Sequence, residues 1–401
     1  MKSSYPVVIV GAGPAGLGVA IALQRCGIAD FVILEASEPG ASFAAWPREM
    51  RMLTPSFYSN PFSQPDLNAI DPETSPADFL RTQHPTGKDY ARYLRTVVEH
   101  HALPVKCGVK VTEIQRSEGE FRVTTESGPL TAKMVVWAAG QFFYPASRAF
   151  PGAEHCRHSS SVEEWTALEG DGFTIIGGYE SGVDAAVNLC SLGKNVRLVS
   201  RGEPWSADSP DPSRSLSPRT LDRLRDLLSR DAAKGRLELI RNTDIRRVEK
   251  GDDWWVLYDQ DDVPLVSRTQ PVLANGYAGG LALLEPLFDW QGGRPVFSES
   301  CDESTSAPGL FYSGPELVHR GSMFCFIYKF RSRFGLIARE IATRLGVPNA
   351  AELLDDHAAS GFLFEDLECC TSCECALEPV GALAPAAVTV AENARLSLAG
   401  L

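Results

Sequence analysis

Short apolar runs alternate with longer stretches of helical spacing along most of this chain, and they do so twice in the same order. Val7 to Val10 predicts a buried strand, Leu17 to Cys26 a helix, and Phe31 to Leu34 a second strand. From Asp89 to His101, Tyr90, Tyr93, Leu94 and Val97 fall on one helical face. Val109 to Ile114, Phe121 to Thr125 and Met134 to Trp137 follow as strand-like runs joined by polar turns, which predicts a small antiparallel meander. The second pass repeats these parts. Strand Phe173 to Ile176 leads to helix Val183 to Leu192 and strand Val196 to Val199. A hairpin of Asp253 to Tyr258 with Pro264 to Ser267 comes next, then the run from Pro271 to Gly276. Gly309 to Gly314 predicts a strand that rejoins the first sheet. Ser322 to Phe334 runs into a helix reaching about Leu345, and Pro379 to Leu401, rich in Ala and broken by Pro, predicts a loosely held tail.

The turn between the first strand and helix is chemically specific. Gly11, Gly13 and Gly16, with Pro14 and Ala15 between them, occupy the glycine positions of a dinucleotide fingerprint. The first glycine permits a tight turn, the second a close backbone approach to a pyrophosphate, and the third tight helix packing. The helix N-terminus then offers unpaired N–H groups to the anion. Glu35 ends the next strand, where the fingerprint expects a carboxylate on ribose hydroxyls. A second copy lies about 165 residues on, with Gly177, Gly178 and Gly182, but Tyr179 holds its middle glycine position, followed by Glu180 and Ser181. Its second strand ends in Ser200 and Arg201, a small polar residue and a cation that suit a 2′-phosphate. Arg219 and Arg223 either add to that anion site or form a solvated helix face. Ala139 and Gly140 in the first half, and Gly276 in the second, end strands in small residues where a backbone passes close to a cofactor.

Composition narrows the class. The 401 residues suggest two or three domains, with 44% hydrophobic and 22% charged residues as in ordinary globular proteins. A net charge of −13 argues against nucleic-acid or anionic-membrane binding, and no stretch approaches a membrane span. Lys2 and the apolar run after it are interrupted by the glycine fingerprint, so they read as structure and not as a signal peptide. Of the ten cysteines, Cys26, Cys107, Cys156, Cys190, Cys301 and Cys325 are scattered and are expected mostly to be buried. Nothing suggests a secreted disulfide framework, which places the protein in the cytoplasm. The expected fold is α/β, with two Rossmann-like domains, each a parallel sheet with a small antiparallel meander, plus a tail. The first domain spans residues 1–160 and returns at 296–345. The second spans 161–295, and the Cys-containing tail 346–401.

Together, Gly11-Ala-Gly-Pro-Ala-Gly16 with Glu35, Ala138-Ala-Gly140, the second fingerprint and Gly309-Leu-Phe-Tyr-Ser-Gly314 resemble the two-dinucleotide-binding-domain flavoproteins. Within them the chain is similar to flavin-containing monooxygenases and thioredoxin-reductase-like enzymes over about residues 5 to 345. The resemblance implies FAD in the first domain, NADPH in the second, and hydride transfer from nicotinamide to flavin N5. It also implies that Trp46 and Thr54 of the loop after Glu35, Val111, Gly314, Pro315 and Phe324 line the flavin. Three departures stand out. Phe150-Pro-Gly152 begins like the monooxygenase signature, but Cys156 holds its His position. Pro315 stands where reductases often place the Asp that holds the ribityl chain. Bacillithiol-disulfide-reductase-like relatives carry a Cys inside the first fingerprint, where this chain has Ala15.

Lacking a cysteine pair in either nucleotide domain, the core is most consistent with an NADPH-reduced flavin that reacts with oxygen to oxygenate or oxidise a small-molecule substrate. The rival reading grows from Cys369, Cys370, Cys373 and Cys375. Cys370 and Cys373 form a C-x-x-C that could carry electrons to a low-molecular-weight disulfide, making the protein a disulfide reductase. As a metal knuckle the cluster lacks a distant second pair, so no metal ligand is assigned; a non-enzymatic redox sensor is the third reading. Ser322 is expected to cap the last helix, and Lys329, Arg331 and Arg333 to snorkel to solvent. A pocket is expected where Trp46 to Phe57, Gln141 to Tyr144 and Glu316 to Phe324 meet. His319 and Arg320 are its polar members, with His319 either a proton donor or a structural hydrogen-bonding residue. A homo-oligomer stays open.

Overall fold

In the computed structural model, residues 2–58, 65–117, 119–207, 209, 211–230 and 235–367 are described, and they form two compact units, one from 2–145 and 277–367 and one from 146–276. The Cys369 to Cys375 cluster and the Ala-rich tail lie outside the described residues.

The first unit opens with β1 (Ser4–Val10), α1 (Pro14–Arg25) and β2 (Phe31–Leu34). Pro14 at the start of α1 presets the helical φ and gives up an N–H that has no partner there anyway. Short helices α2 (Ala41–Ala44) and α3 (Pro76–Leu80) precede the amphipathic α4 (Gly87–His100). A reciprocal capping box starts α4: the Thr86 hydroxyl accepts from the Asp89 N–H, and the Asp89 carboxylate from the Thr86 N–H. Strands β3 (Val105–Lys106), β4 (Val111–Ser117), β5 (Glu120–Thr125) and β6 (Gly128–Trp137) complete this part. The sheet order is β3-β2-β1-β6-β5-β4. Antiparallel partners of β6 lie along its first half, residues 128–132, which makes the expected meander.

The second unit contains β7 (Arg157–His158), β8 (Gly172–Ile176), α5 (Glu180–Ser191), β9 (Asn195–Val199), α6 (Pro218–Ser229) and β10 (Leu237–Ile240). After these come β11 (Arg247–Lys250), β12 (Trp255–Tyr258), β13 (Pro264–Ser267) and β14 (Val272–Leu273). Its parallel sheet runs β10-β9-β8-β14-β7, beside a three-stranded antiparallel sheet β11-β12-β13. An ion pair between Arg223 on α6 and the buried Asp184 on α5 joins the two helices, with Asn188 Oδ1 taking a second guanidinium N–H at 3.1 Å. Arg223 is therefore spent inside the helix pair.

The chain returns to the first unit through the hairpin β15 (Trp290–Gln291) and β16 (Arg294–Pro295). Next, β17 (Leu310–Tyr312) pairs in parallel with the last residues of β6, Leu310 against Val135 and Tyr312 against Trp137. The strand expected to rejoin the first sheet does so. A second hairpin, β18 (Val318–His319) with β19 (Ser322–Met323), leads to α7 (Ile327–Phe330), a 3-10 turn Arg331–Arg333, α8 (Phe334–Arg344) and α9 (Asp355–Ala359). Two expectations change here. Ser322 belongs to β19, and α7 begins after Phe326 with no side-chain cap, so Ser322 does not cap the last helix. Arg331 and Arg333 do not snorkel; they are 5% and 1% exposed. Arg331 donates to the carbonyls of Asp66 and Ala69 and lies 4.7 Å over the Phe362 ring, so a loop far away in sequence supplies the oxygens that water would have given.

Candidate functional site

In the first unit the fingerprint, Glu35, Ala139–Gly140 and Gly314 all lie at the carboxyl ends of the parallel strands β1, β2, β6 and β17. Open α/β sheets bind ligands along that edge. Gly11 has φ +105°, and a Cβ there would sit 2.4 Å from the Ala138 carbonyl oxygen. Only glycine allows β1 to turn this close to β6. A Cβ on Gly16 would sit 2.0 Å from the Gly11 oxygen, whereas one on Gly13 would meet nothing within 4 Å. The middle glycine thus leaves an open approach in front of the α1 N-terminus, the space a pyrophosphate needs. Glu35, 9% exposed, accepts the Ala12 N–H at 2.8 Å and the Ser37 N–H at 2.9 Å. Each carboxylate oxygen retains a lone pair for a ribose hydroxyl. These residues fit an adenine dinucleotide such as FAD.

The remaining residues expected at the flavin are placed as follows. Ala15 is buried in α1, Trp46 is half-buried and packs 4.8 Å from the Phe43 ring, and the Thr54 carbonyl accepts the Asn68 side-chain amide at 2.8 Å. Val111 begins β4, half-buried; Gly140 has φ +67° just past β6; Pro315 is half-buried beside the buried Gly314. Phe324, 6% exposed, meets the His319 ring edge-on at 5.9 Å.

His319 is 4% exposed, and its Nε2 lies 2.7 Å from Asp302 Oδ1. The same carboxylate, fully buried, takes the Arg333 guanidinium through Nε at 3.1 Å and Nη2 at 2.9 Å. His319 is thus hydrogen-bonded inside a buried trio with Asp302 and Arg333. Arg320, in contrast, is exposed and pairs with Glu299 at 2.8 Å. Sequence reasoning missed Asp302, which stands in no motif; a lone acid before a return strand carries no signal until Arg333 and His319 converge on it.

The second unit repeats the first cradle closely. Gly177 has φ +112°, and a Cβ there would lie 2.3 Å from the Ala274 oxygen; one on Gly182 would lie 1.7 Å from the Gly177 oxygen. Both contacts match those of Gly11 and Gly16. Gly178 packs on Ser200, where a Cβ would come 2.5 Å from the serine side chain, and Gly276 turns at φ +85°. Tyr179 points outward, 38% exposed, with its hydroxyl 3.4 Å from the Ser213 carbonyl. Swinging the ring outward is how a large residue is accommodated where a glycine is usual. Glu180, the first residue of α5, turns its carboxylate to Ser217 and Thr220 at the start of α6, and burial pushes its carboxyl up. Its charge is thereby directed away from the α5 N-terminal amides, to which the half-buried Ser181 belongs. Ser200 is 5% exposed and Arg201 is exposed at the end of β9. A nucleotide carrying an extra phosphate fits this end.

Of the six described cysteines, Cys26, Cys190 and Cys301 are buried, Cys156 and Cys325 are half-buried, and Cys107 is exposed. Burial pushes the thiols of Cys26 and Cys190 up to about 11 and that of Cys156 up to about 12, away from the thiolate that exchange chemistry requires. Among the described residues no helix is long and apolar enough to cross a membrane.

Residues 8–314 match the family model described as pyridine nucleotide-disulphide oxidoreductase. The bacilliredoxin reductase Bdr of Bacillus subtilis is 26% identical over 348 residues, covering 84% of this chain and 97% of that protein. The solved bacillithiol disulfide reductase of Staphylococcus aureus superposes with a TM-score of 0.68 at 20% identity, over 86% of this chain and 99% of that one. The flavin-containing monooxygenase of Stenotrophomonas maltophilia gives a TM-score of 0.65 at 18% identity, over 86% and 100%. Both structures share the fold.

Proposed function

The chain belongs to the pyridine nucleotide-disulphide oxidoreductase family, and from that premise we propose that it passes electrons from NADPH through FAD directly to oxygen, oxygenating or oxidising a small-molecule substrate. It is an oxidoreductase, and its cofactors are FAD and NADPH. FAD belongs to the first unit, whose strand ends carry Gly11 to Gly16 and Glu35. NADPH belongs to the second, where Ser200 and Arg201 stand in place of an acid. When bound, the flavin supplies a two-electron acceptor and donor that nicotinamide can reduce by hydride transfer. The chain's own contribution is to hold the ribose through Glu35, to present the α1 and α5 amides to the two diphosphates, and to pair Arg201 with the 2′-phosphate.

The observation that carries the oxygen reading is the state of the thiols. Ala15 occupies the fingerprint position, and burial drives Cys26, Cys156 and Cys190 away from thiolate. A relay of the C-x-x-C kind would therefore have to come from Cys370 and Cys373. A second reading, an NADPH-dependent disulfide reductase using that cluster, draws support from the similarity to bacilliredoxin reductase over nearly all of its length. Anaerobic reduction with NADPH, followed by oxygen or by a panel of low-molecular-weight disulfides, separates the two. Fast reoxidation by a disulfide, lost in Cys370→Ser or Cys373→Ser, would replace the first reading with the second.

A further inference from the structure

The carboxyl ends of β6 and β17 carry a polar niche that the fingerprint does not use. Trp137 closes β6 at 2% exposure with its indole Nε1 unpartnered, and Ser313, also 2% exposed, follows β17 with its hydroxyl unpartnered. Buried donors are almost always paired in native proteins, so each of these, at a ligand-binding sheet edge, points to a ligand. Glu316 closes the niche. Its carboxylate accepts the Gly280 N–H at 3.0 Å and the Leu281 N–H. The Tyr312 hydroxyl donates to it and accepts the Glu316 N–H at 3.0 Å. Gly280 is the shared neighbour: a Cβ there would lie 3.0 Å from the Gly140 oxygen, 3.0 Å from the Tyr144 ring and 3.4 Å from Trp137 Nε1. At Gly279, φ +84°, a Cβ would fall 1.8 Å from Glu316 Oε2, so the turn is shaped around this carboxyl.

We propose that Glu316 is a positioning residue of the flavin site, clasping the Gly279 to Leu281 turn against the Gly140 end of β6 and so fixing the wall that Trp137 Nε1 presents to the flavin. The inference rests on the assignment of FAD to the first unit. Burial pushes the Glu316 carboxyl up to about 7, outweighing the N–H groups of Gly280 and Leu281 and the Tyr312 hydroxyl. The clasp therefore changes charge near neutrality. A carboxylate accepts stronger hydrogen bonds than a neutral carboxyl, so the turn is held more firmly above pH 7. The titratable groups facing it are the phenols of Tyr312 on β17 and Tyr144 after β6, both pushed up chiefly by burial. Behind them Glu35 acts on Tyr144 and Asp302 on Tyr312.

The test follows flavin absorbance and the FAD dissociation constant from about pH 5.5 to 8.5 in the full-length protein, Glu316→Gln and Gly279→Ala. The wild type is expected to show a spectral step near pH 7, binding FAD about tenfold more weakly on its acid side. Glu316→Gln should bind with a flat profile near the acid-side affinity, and Gly279→Ala should bind more weakly at every pH. A flat wild-type profile, or a step that survives in Glu316→Gln even if that variant is less stable, overturns the proposal. If the wild type binds no FAD at any pH, the assignment of FAD to this unit fails instead.

Discussion

Replacing Asp302 by Asn tests whether the buried trio of Asp302, His319 and Arg333 is structural. The three side chains are 0%, 3% and 1% exposed, so each depends on the others for charge and hydrogen bonds. Asn at position 302 keeps the shape but leaves the Arg333 guanidinium, which also donates to the Glu299 and Phe364 carbonyls, buried without a counter-charge. Removing one partner of such a pair costs about 3–5 kcal/mol, a large part of the roughly 5–15 kcal/mol that holds a protein folded. His319→Gln is milder, because an amide N–H can still donate to Asp302, and about 1 kcal/mol is expected. Urea unfolding, followed by tryptophan fluorescence and flavin release, should therefore rank Asp302→Asn far below His319→Gln, which should lie just below wild type. NADPH oxidation per bound flavin should stay within about threefold of wild type in His319→Gln, since general acid–base groups contribute on the order of 10²–10⁴-fold. A loss of 100-fold or more per flavin at unchanged stability would show that His319 moves a proton in turnover, and the structural assignment would fall.

Three further outcomes follow from the same geometry. Gly11→Ala forces a Cβ to within 2.4 Å of the Ala138 oxygen at φ +105°, so the purified variant should carry little FAD, read as the ratio of absorbance at flavin and protein wavelengths. Arg201→Ala should raise KM for NADPH about tenfold while leaving that for NADH within about twofold; equal effects on both would remove Arg201 from the 2′-phosphate site. His357 is 2% exposed, and burial pulls its imidazole down to about 4. With the folded pKa below the unfolded one, its contribution to stability is complete above about pH 6.5 and is lost as pH falls through 4. Denaturant unfolding should show about 2 kcal/mol less stability at pH 5 than at pH 7 from this group, a slope that His357→Leu flattens.

What could be read along the chain was what backbone geometry demands locally. Gly11 with Gly16, and Gly177 with Gly182, stand at fixed spacings because a strand, a turn and a helix fit together in only one way there. Glu35 was legible because its distance from the glycines is set by one helix and one strand. Arg331 and Arg333 were not legible. A cation beside phenylalanines on a helix suggests a solvated face until carbonyls from Asp66 and Ala69, more than 260 residues away in sequence, take the place of water. Ser322 looked like a cap because a polar residue precedes an apolar run, yet the β18–β19 hairpin claims it and the helix starts five residues later. Glu316 was legible only as the end of an expected pocket wall, since its particular role comes from Gly279 and Gly280 across a turn. Local sterics leave marks in sequence, and long-range satisfaction of buried charge does not.

The central claim is that electrons leave the reduced flavin directly and not through a protein thiol. The most direct measurement mixes anaerobically NADPH-reduced protein with oxygen, and separately with low-molecular-weight disulfides, while following flavin absorbance in the wild type and in Cys370→Ser. The account predicts fast reoxidation by oxygen, unchanged in Cys370→Ser, and slow reoxidation by every disulfide. Fast reoxidation by a disulfide that vanishes in Cys370→Ser contradicts it.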